Sequence, residues 1–251
     1  MAKIIEHPGE VTIGVIGANG VAATNRLCDI VERKVTKAGA FRDCHHPEMI
    51  VWQSTQVPSR AMYLEGRGPS FVEDYVKIAS TLRQIGCDYG CICCNTAHLY
   101  MPEIQEKSGL PFINLLEEVA ARLKQTGERR FEFFVSDGAL KWDIYGKAMK
   151  RIFPEAEIVY PDAERQRLVT RVITGDKTKN RFLGASDPES PLNILERLVK
   201  TAAAPVVLGC TDLRVAYDND MEELPDGIIL DSLETLADVI IDKTHTPSIP
   251  K

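Results

Sequence analysis

Val11-Thr12-Ile13-Gly14-Val15-Ile16 is a continuous apolar run, and the glycine-containing turn Gly17-Ala18-Asn19-Gly20 follows it directly. A run without alternating polar residues is typical of a strand that is buried on both faces. Residues 21–33 then carry a helical pattern. Strand, glycine turn and helix in this order predict the first unit of an α/β fold with a parallel sheet.

Short apolar runs and helical patterns alternate along the rest of the chain. Further strands are predicted at residues 49–52, 89–93, 131–135, 157–160, 205–208 and 228–230. Helical patterns lie at residues 70–86, 139–151, 191–201 and 232–241. Strands and helices that alternate at this length favour parallel sheets with helices on both faces. The predicted fold class is therefore α/β.

The two halves of the chain have similar spacing. Gly17 precedes Cys94 by 77 residues, and Gly138 precedes Cys210 by 72 residues. Either the match is coincidental, or the chain has two similar lobes, each a mostly parallel sheet flanked by helices, with the active site in the cleft between them. The first predicted lobe consists of residues 1–114 and 225–251 and carries Cys94. The second consists of residues 115–224 and carries Cys210. Both cysteines follow a predicted strand, and ligands of open α/β sheets bind beyond the carboxyl ends of strands.

Composition excludes several classes of partner. The net charge of −6 gives no general attraction to nucleic acid or to anionic membranes. No apolar stretch approaches the roughly 18 residues of a membrane span, and the charged start with Pro8 does not resemble a secretory signal. The seven cysteines, an odd number, indicate reduced thiols rather than a disulfide framework. We therefore expect a cytoplasmic protein that binds a small molecule, with no nucleic-acid or membrane partner.

Two cysteine-containing turns, Cys94-Asn95-Thr96-Ala97-His98 and Gly209-Cys210-Thr211-Asp212, carry the main chemical signal. If each turn opens a helix, backbone N–H groups and the helix dipole stabilise both a thiolate and a bound carboxylate there. The alternative is that these cysteines are small core residues, which we expect for Cys91 and Cys93. Two such turns in corresponding halves favour a functional role for Cys94 and Cys210.

These turns resemble the paired signatures of the aspartate/glutamate racemase family, especially its aspartate racemase branch. Three further segments agree, and the similarity runs from about Val11 to about Ile241. The family's glycine loop is resembled by Ile13-Gly14-Val15-Ile16-Gly17-Ala18-Asn19-Gly20. Its substrate-arginine loop is resembled by Gln56-Val57-Pro58-Ser59-Arg60. The segment that carries its substrate lysine is resembled by Thr174-Gly175-Asp176-Lys177.

The resemblance implies cofactor-independent racemisation of aspartate or glutamate, without a metal, in a homodimer. Cys94 and Cys210 would exchange the α-proton from opposite faces of the α-carbon, as thiolate and thiol. The resemblance implies that Arg60 and Lys177 bind the side-chain carboxylate. The residues implied to hold the α-carboxylate are Asn95, Thr96 and Thr211, with the glycine turns at Asn19 and at Asp137-Gly138.

Four positions depart from the family pattern. Asp212 stands where the aspartate racemase branch usually has glutamate, and Ala139 stands where threonine is common. Asn19 and Val21 replace the usual methionine and proline. These departures weaken the substrate assignment and leave the cysteine pair intact. The alternatives are a hydantoin racemase-like isomerase, a broad-range amino-acid racemase, and a non-catalytic protein that binds acidic metabolites.

Other motifs carry little functional signal. Gly14, Gly17 and Gly20 fit neither the dinucleotide fingerprint nor the phosphate loop. His45-His46 beside Cys44 is interpreted as a polar loop rather than a metal site. His98 is expected to support the Cys94 turn. Cys93 and Cys94 cannot both face one metal ion from a strand, because alternate residues point to opposite faces.

Overall fold

The computed structural model describes residues 11–184, 186–217 and 225–245. These residues form strands β1 (Thr12–Ile16), β2 (Glu48–Trp52), β3 (Tyr89–Ile92), β4 (Arg130–Phe134), β5 (Glu157–Val159), β6 (Val206–Leu208) and β7 (Ile228–Asp231). They are arranged in two parallel sheets, of order β2-β1-β3 and β5-β4-β6-β7. Every strand predicted from an apolar run is present, and the α/β prediction is confirmed.

Helices cover both sheets. In chain order they are α1 (Val21–Lys37), α2 (Arg60–Leu64), α3 (Val72–Gln84), α4 (Met101–Ser108), α5 (Leu115–Gln125), α6 (Asp137–Lys141), α7 (Ile144–Ile152), α8 (Ala163–Gly175), α9 (Pro191–Lys200) and α10 (Ser232–Thr244). Short 3₁₀ helices lie at Asp43–His45, Thr96–Leu99, Lys179–Phe182 and Thr211–Ala216. Among the described residues, no helix combines the length and the apolar character that crossing a bilayer requires.

The central strand of each sheet explains the apolar runs. In β1, Ile13, Val15 and Ile16 are fully buried, because helices pack on both faces of the strand. In β4, Phe131 and Phe133 are fully buried in the same way. One continuous hydrophobic core includes residues of both central strands, so the two sheets share an interior.

The segment after residue 225 contacts both lobes. The sequence assigned residues 225–251 to the first lobe, but β7 pairs in parallel with β6 of the second sheet. Leu230 of β7 is buried against the shared core, which explains this placement. Helix α10 then packs on α1 and α5. Residues 1–10 and 246–251 of the predicted first lobe lie outside the described residues.

Ion pairs fix α10 between the two lobes. Lys34 of α1 contacts Asp238 of α10 at 2.6 Å and Glu234 at 2.9 Å. Arg122 of α5 contacts the other carboxylate oxygen of Asp238 at 3.1 Å. Asp238 therefore bridges a helix that follows β1 to the helix that precedes β4. This bridge helps to hold the two sheets in a fixed relation behind the cleft.

Candidate functional site

A cavity of about 160 Å³ lies at the carboxyl ends of the central strands, between the two lobes. This is below the roughly 300–1,000 Å³ of pockets that hold drug-sized ligands, so the cavity suits a small metabolite. Every site residue predicted from the sequence lines it: Asn19, Arg60, Cys94, Asn95, Thr96, Asp137, Gly138, Lys177, Cys210 and Thr211. Residues some 190 positions apart in the chain are thus brought together.

Cys94 reaches the cavity from the first lobe, just beyond β3. It is partly exposed, whereas Cys91 and Cys93 are fully buried in the core, as expected. His98, which is 5% exposed, has its Nδ1 2.8 Å from the carbonyl oxygen of Cys94. Burial lowers the pKa of His98, so the ring is neutral and donates its proton to that carbonyl. His98 therefore supports the turn, as the sequence predicted.

Cys210 reaches the cavity from the second lobe, just beyond β6. A Cβ atom on Gly209 would lie 2.7 Å from atoms of both Tyr145 and Val135, so only glycine fits at this position without a shift of the backbone. Burial raises the pKa of the Cys210 thiol, and the charge of Asp212 adds to this effect. Lys177 and a hydrogen bond from the Asp212 backbone N–H act in the opposite direction. The thiol form of Cys210 is therefore favoured at neutral pH.

The turns after the two cysteines differ from the expected helix starts. Each leads into a 3₁₀ helix, at Thr96–Leu99 and Thr211–Ala216, rather than directly into an α-helix. A short 3₁₀ helix has only a small dipole, because few peptide groups are aligned in it. Each turn thus opens a 3₁₀ helix, and the contribution of the helix dipole to a thiolate is smaller there than an α-helix would give.

The side-chain amides of Asn95 and Asn19 each form hydrogen bonds within the protein at both ends. Asn95 Oδ1 accepts a hydrogen bond from Tyr145 Oη at 2.5 Å, and its Nδ2 donates to Ser232 Oγ at 3.0 Å. Asn19 Nδ2 donates to the Ile16 carbonyl at 2.7 Å, and its Oδ1 accepts from the hydroxyl of Tyr75. Both amides thus hold the walls of the cavity in place. Carboxylate binding by the Asn95 amide, expected from the sequence, would use the second N–H of Nδ2, because the bond to Ser232 takes only one of the two, and it stays a prediction.

Threonine hydroxyls join the two lobes beside the cysteines. Thr96 Oγ1 lies 3.0 Å from Ser136 Oγ, at the start of α6. Thr211 Oγ1 donates to the carbonyl oxygen of Cys93 at 3.2 Å, so the Cys210 turn is hydrogen-bonded to the residue before Cys94. The two cysteine turns therefore form one connected structure.

The second glycine turn lies where the lobes meet. Asp137 begins α6, and its Oδ1 accepts hydrogen bonds from Gln166 and Thr170, each at 2.9 Å. A Cβ atom on Gly138 would lie 3.4 Å from Thr96 and 3.7 Å from Leu64, which is ordinary contact. Gly138 is thus not required by space.

The two predicted cations have different surroundings. Arg60 donates to the carbonyl oxygens of Ala18 and Pro58 at 3.3 and 3.4 Å, and no described carboxylate forms an ion pair with it. Lys177 Nζ lies 2.7 Å from Asp212 Oδ2. Burial works to lower the pKa of Lys177, but Asp212 together with the two cysteines outweighs it and the pKa is raised. Asp212 Oδ1 in turn lies over Gly20, where a Cβ atom would overlap it.

The cavity has further walls that were not predicted. Thr170, Ile173 and Thr174 of α8 line it, together with Ser136, Ser59, Ala61 and Glu65. Thr170, Ile173, Thr174 and Lys177 have the spacing of one helix face, and this spacing could have identified them once Lys177 was chosen. Asp212, noted in the sequence only as a departure, is a central charge of the cavity.

A larger cavity, of about 670 Å³, lies between α1 and α9. Neither Cys94 nor Cys210 lines it, and its lining includes none of the predicted site residues. Within the described ranges, no three His, Cys, Asp or Glu side chains are grouped as metal ligands would be.

Comparisons with known proteins agree with this geometry. The family model described as Asp/Glu/hydantoin racemase matches residues 13–240. The broad specificity amino-acid racemase RacX of Bacillus subtilis (strain 168) is 25% identical over 229 residues, which cover 90% of this chain and 94% of RacX.

Solved structures show the same fold. The aspartate racemase of Picrophilus torridus superposes with a TM-score of 0.73 at 21% identity, over 93% of this chain and 94% of that one. The glutamate racemase isoform RacE1 of Bacillus anthracis gives a TM-score of 0.56 at 16% identity, over 93% of this chain and 82% of that one. At these identities the likeness concerns the fold alone. It confirms the predicted arrangement of two lobes around a cleft.

Proposed function

Since this chain belongs to the Asp/Glu/hydantoin racemase family, we propose that it racemises an acidic amino acid, aspartate or glutamate, without a cofactor. In this proposal Cys94 and Cys210 exchange the α-proton from opposite faces of the α-carbon. The α-hydrogen is a very weak acid, so its removal needs a positioned base and stabilisation of the developing charge.

One observation supports this mechanism most directly. Cys94 and Cys210, contributed by different lobes, line the same small cavity and are both partly exposed there. A negative charge on Cys94 would raise the pKa of Cys210, which supports a position of the two thiols near each other. Two bases on opposite walls are what an exchange of one proton between two faces requires.

The protonation state of Cys210 suggests the roles of the two thiols for one enantiomer. Burial raises the pKa of Cys210 and favours its thiol, so we propose that Cys210 holds the proton and Cys94 abstracts first from one enantiomer, with the roles exchanged for the other. The Cys94 thiolate takes the α-hydrogen as a proton, and the electron pair stays on the substrate. Cys210 then donates its proton to the opposite face. Cys94 ends as the thiol and Cys210 as the thiolate, so exchange with solvent must restore the starting state.

The charges of the cavity support an acidic substrate. Arg60 is a cation without a carboxylate partner among the described residues, and a planar guanidinium suits a carboxylate. Lys177 supplies a second positive charge once it leaves Asp212. The backbone and hydroxyl groups of Thr96 and Thr211, with the turn at Asp137 and Gly138, are proposed to hold the α-carboxylate.

Broad amino-acid specificity is the second candidate. The Lys177–Asp212 pair favours broad specificity, because Asp212 neutralises one of the two cations and the cavity then attracts a second carboxylate less strongly. The similarity to RacX, a broad specificity racemase, agrees with it.

A homodimer, implied by the family, is also a proposal, and analytical ultracentrifugation would test it.

Solvent exchange tests the function. We expect L-aspartate or L-glutamate, incubated with the protein in deuterated water without added cofactor, to acquire deuterium at the α-carbon and to form the D-enantiomer. A panel that includes neutral L-amino acids and a hydantoin separates the candidates. Binding of an acidic amino acid without exchange would contradict a racemase and favour a binding protein.

A further inference from the structure

Asp176 is a buried carboxyl group that the proposed proton transfer does not use. It follows α8 directly, it is 3% exposed, and neither of its carboxylate oxygens has a hydrogen-bond partner among the described residues. No ion pair among those residues includes it. A buried carboxylate in such a position loses its hydration without replacement, which strongly disfavours the charged form.

The surroundings of Asp176 further disfavour its charged form. Asp176 lies at the carboxyl end of the 13-residue helix α8, where the helix dipole is negative and repels an anion. The charged groups that act on it are Asp212 after β6, Arg181 in the 3₁₀ helix Lys179–Phe182, and the adjacent Lys177. Burial first, and the charge of Asp212 second, raise the pKa of Asp176 to about 8.

The position of Asp176 links it to the cavity. Lys177 follows it in the chain and lines the cavity, where it pairs with Asp212. While Asp176 is uncharged, the pair of Lys177 and Asp212 is neutral. If Asp176 were ionised, a second carboxylate would compete with Asp212 and the substrate for Lys177, and one negative charge would be added beside the cavity.

We propose that Asp176 is a positioning residue, uncharged at neutral pH, whose neutrality allows Lys177 to leave Asp212 and bind the side-chain carboxylate of an acidic substrate. This inference rests on the proposed function and concerns its substrate class. Ionisation of Asp176 would hold Lys177 and repel the substrate's side chain. It would leave the cysteine pair and neutral substrates largely unaffected.

The test compares the wild-type protein with Asp176→Asn, which keeps the shape of the side chain and removes its titration. From about pH 8 to pH 9 we expect the wild-type KM for L-aspartate or L-glutamate to rise about five- to tenfold relative to that of the variant, with the ratio of kcat values nearly constant. Titration of the cysteines and of the substrate affects both proteins and cancels in the ratio. Glu155→Gln, at an exposed position, should follow the wild type.

The outcomes separate this inference from the function itself. Deuterium exchange with no amino acid contradicts the proposed function, and the inference falls with it. Exchange with parallel KM profiles for wild type and Asp176→Asn overturns the inference alone. Turnover confined to neutral amino acids overturns both the inference and the acidic specificity, and leaves racemisation itself standing. If the variant does not fold, carbon-13 NMR of the aspartate carboxyl groups in the wild-type protein provides the test. We expect one buried carboxyl group to titrate near pH 8. Titration of every aspartate near its ordinary pKa would overturn the inference.

Discussion

Lys177 Nζ lies 2.7 Å from Asp212 Oδ2, on the wall of the cavity that both cysteines line. The Lys177 side chain is 48% exposed and that of Asp212 only 6%. Asp212 therefore depends on the lysine for compensation of its buried charge. Removal of one partner from a buried pair is far more costly than removal of both, because the remaining charge stays desolvated.

Lys177→Met is expected to lower the free energy of unfolding by about 1–2 kcal/mol, below the values for fully buried pairs because the lysine is half exposed. Lys177→Met combined with Asp212→Asn should recover part of this loss. Urea denaturation of the single and double variants measures both effects. A double variant less stable than Lys177→Met would contradict the dependence of Asp212 on the lysine.

Cys94→Ala and Cys210→Ala are each expected to reduce racemisation at least about 100-fold in both directions, because each removes a proton donor or acceptor from one face. A chiral product assay, started from either enantiomer, measures the loss. Cys44→Ala removes an exposed thiol outside the cavity and serves as the control. Two-way turnover retained by either single variant would rule out the two-base scheme.

Arg60→Met is expected to raise KM for an acidic amino acid about 10- to 100-fold, since charge-assisted hydrogen bonds of this kind contribute about 1.5–3 kcal/mol. The KM for a neutral amino acid should change little. Arg83→Met, which removes an exposed arginine at the end of α3, is the matched control. An equal effect on acidic and neutral substrates would show that Arg60 acts on the fold of the loop instead.

Gly209→Ala is expected to reduce activity strongly and to lower stability by about 1–3 kcal/mol. The added Cβ would lie 2.7 Å from Tyr145 and Val135, so the turn that carries Cys210 must shift. Gly184→Ala meets only Ser186, at 3.8 Å, and provides the control. Thermal denaturation and the exchange assay together measure the effect, and full activity in Gly209→Ala would show that Cys210 tolerates displacement.

Asp176→Asn is expected to gain stability relative to the wild type as pH rises. The pKa of Asp176 is about 8 in the folded protein and 3.8 in its ordinary state, so between these values only the folded form holds the proton. Wild-type stability should therefore fall across this window, by up to about 1.4 kcal/mol per pH unit, and the variant lacks this contribution. Melting temperatures from about pH 4 to pH 8 measure the difference, which should be smallest at the acid end.

Much of the fold was predictable because strands buried on both faces appear as unbroken apolar runs, as in β1. Helix α8 lies outside the predicted helices. Its buried apolar residues, Val169, Val172 and Ile173, lie in its later turns, and its first turns are polar. The placement of β7 was not predictable from its own residues, since pairing with β6 depends on which sheet offers a free edge.

The site was predictable as a set of positions, and less so in its hydrogen bonds. The resemblance to a known family identified residues that line one cavity. The partners of Asn95 lie 50 and 137 residues away in the chain, and no local pattern indicates them. The ion pair of Lys177 with Asp212 likewise joins residues that only the folded chain brings together.

The engagement of the Asn95 amide has a consequence for how this protein can diverge. Tyr145 and Ser232 do not line the cavity, yet each holds one end of the side chain next to Cys94. A mutation of Asn95 leaves both partners without this hydrogen bond, and a mutation of Tyr145 or Ser232 leaves one end of the Asn95 amide without its partner. Over evolutionary time these positions should covary, so a change in the turn that carries Cys94 requires matching changes in α7 and at the start of α10.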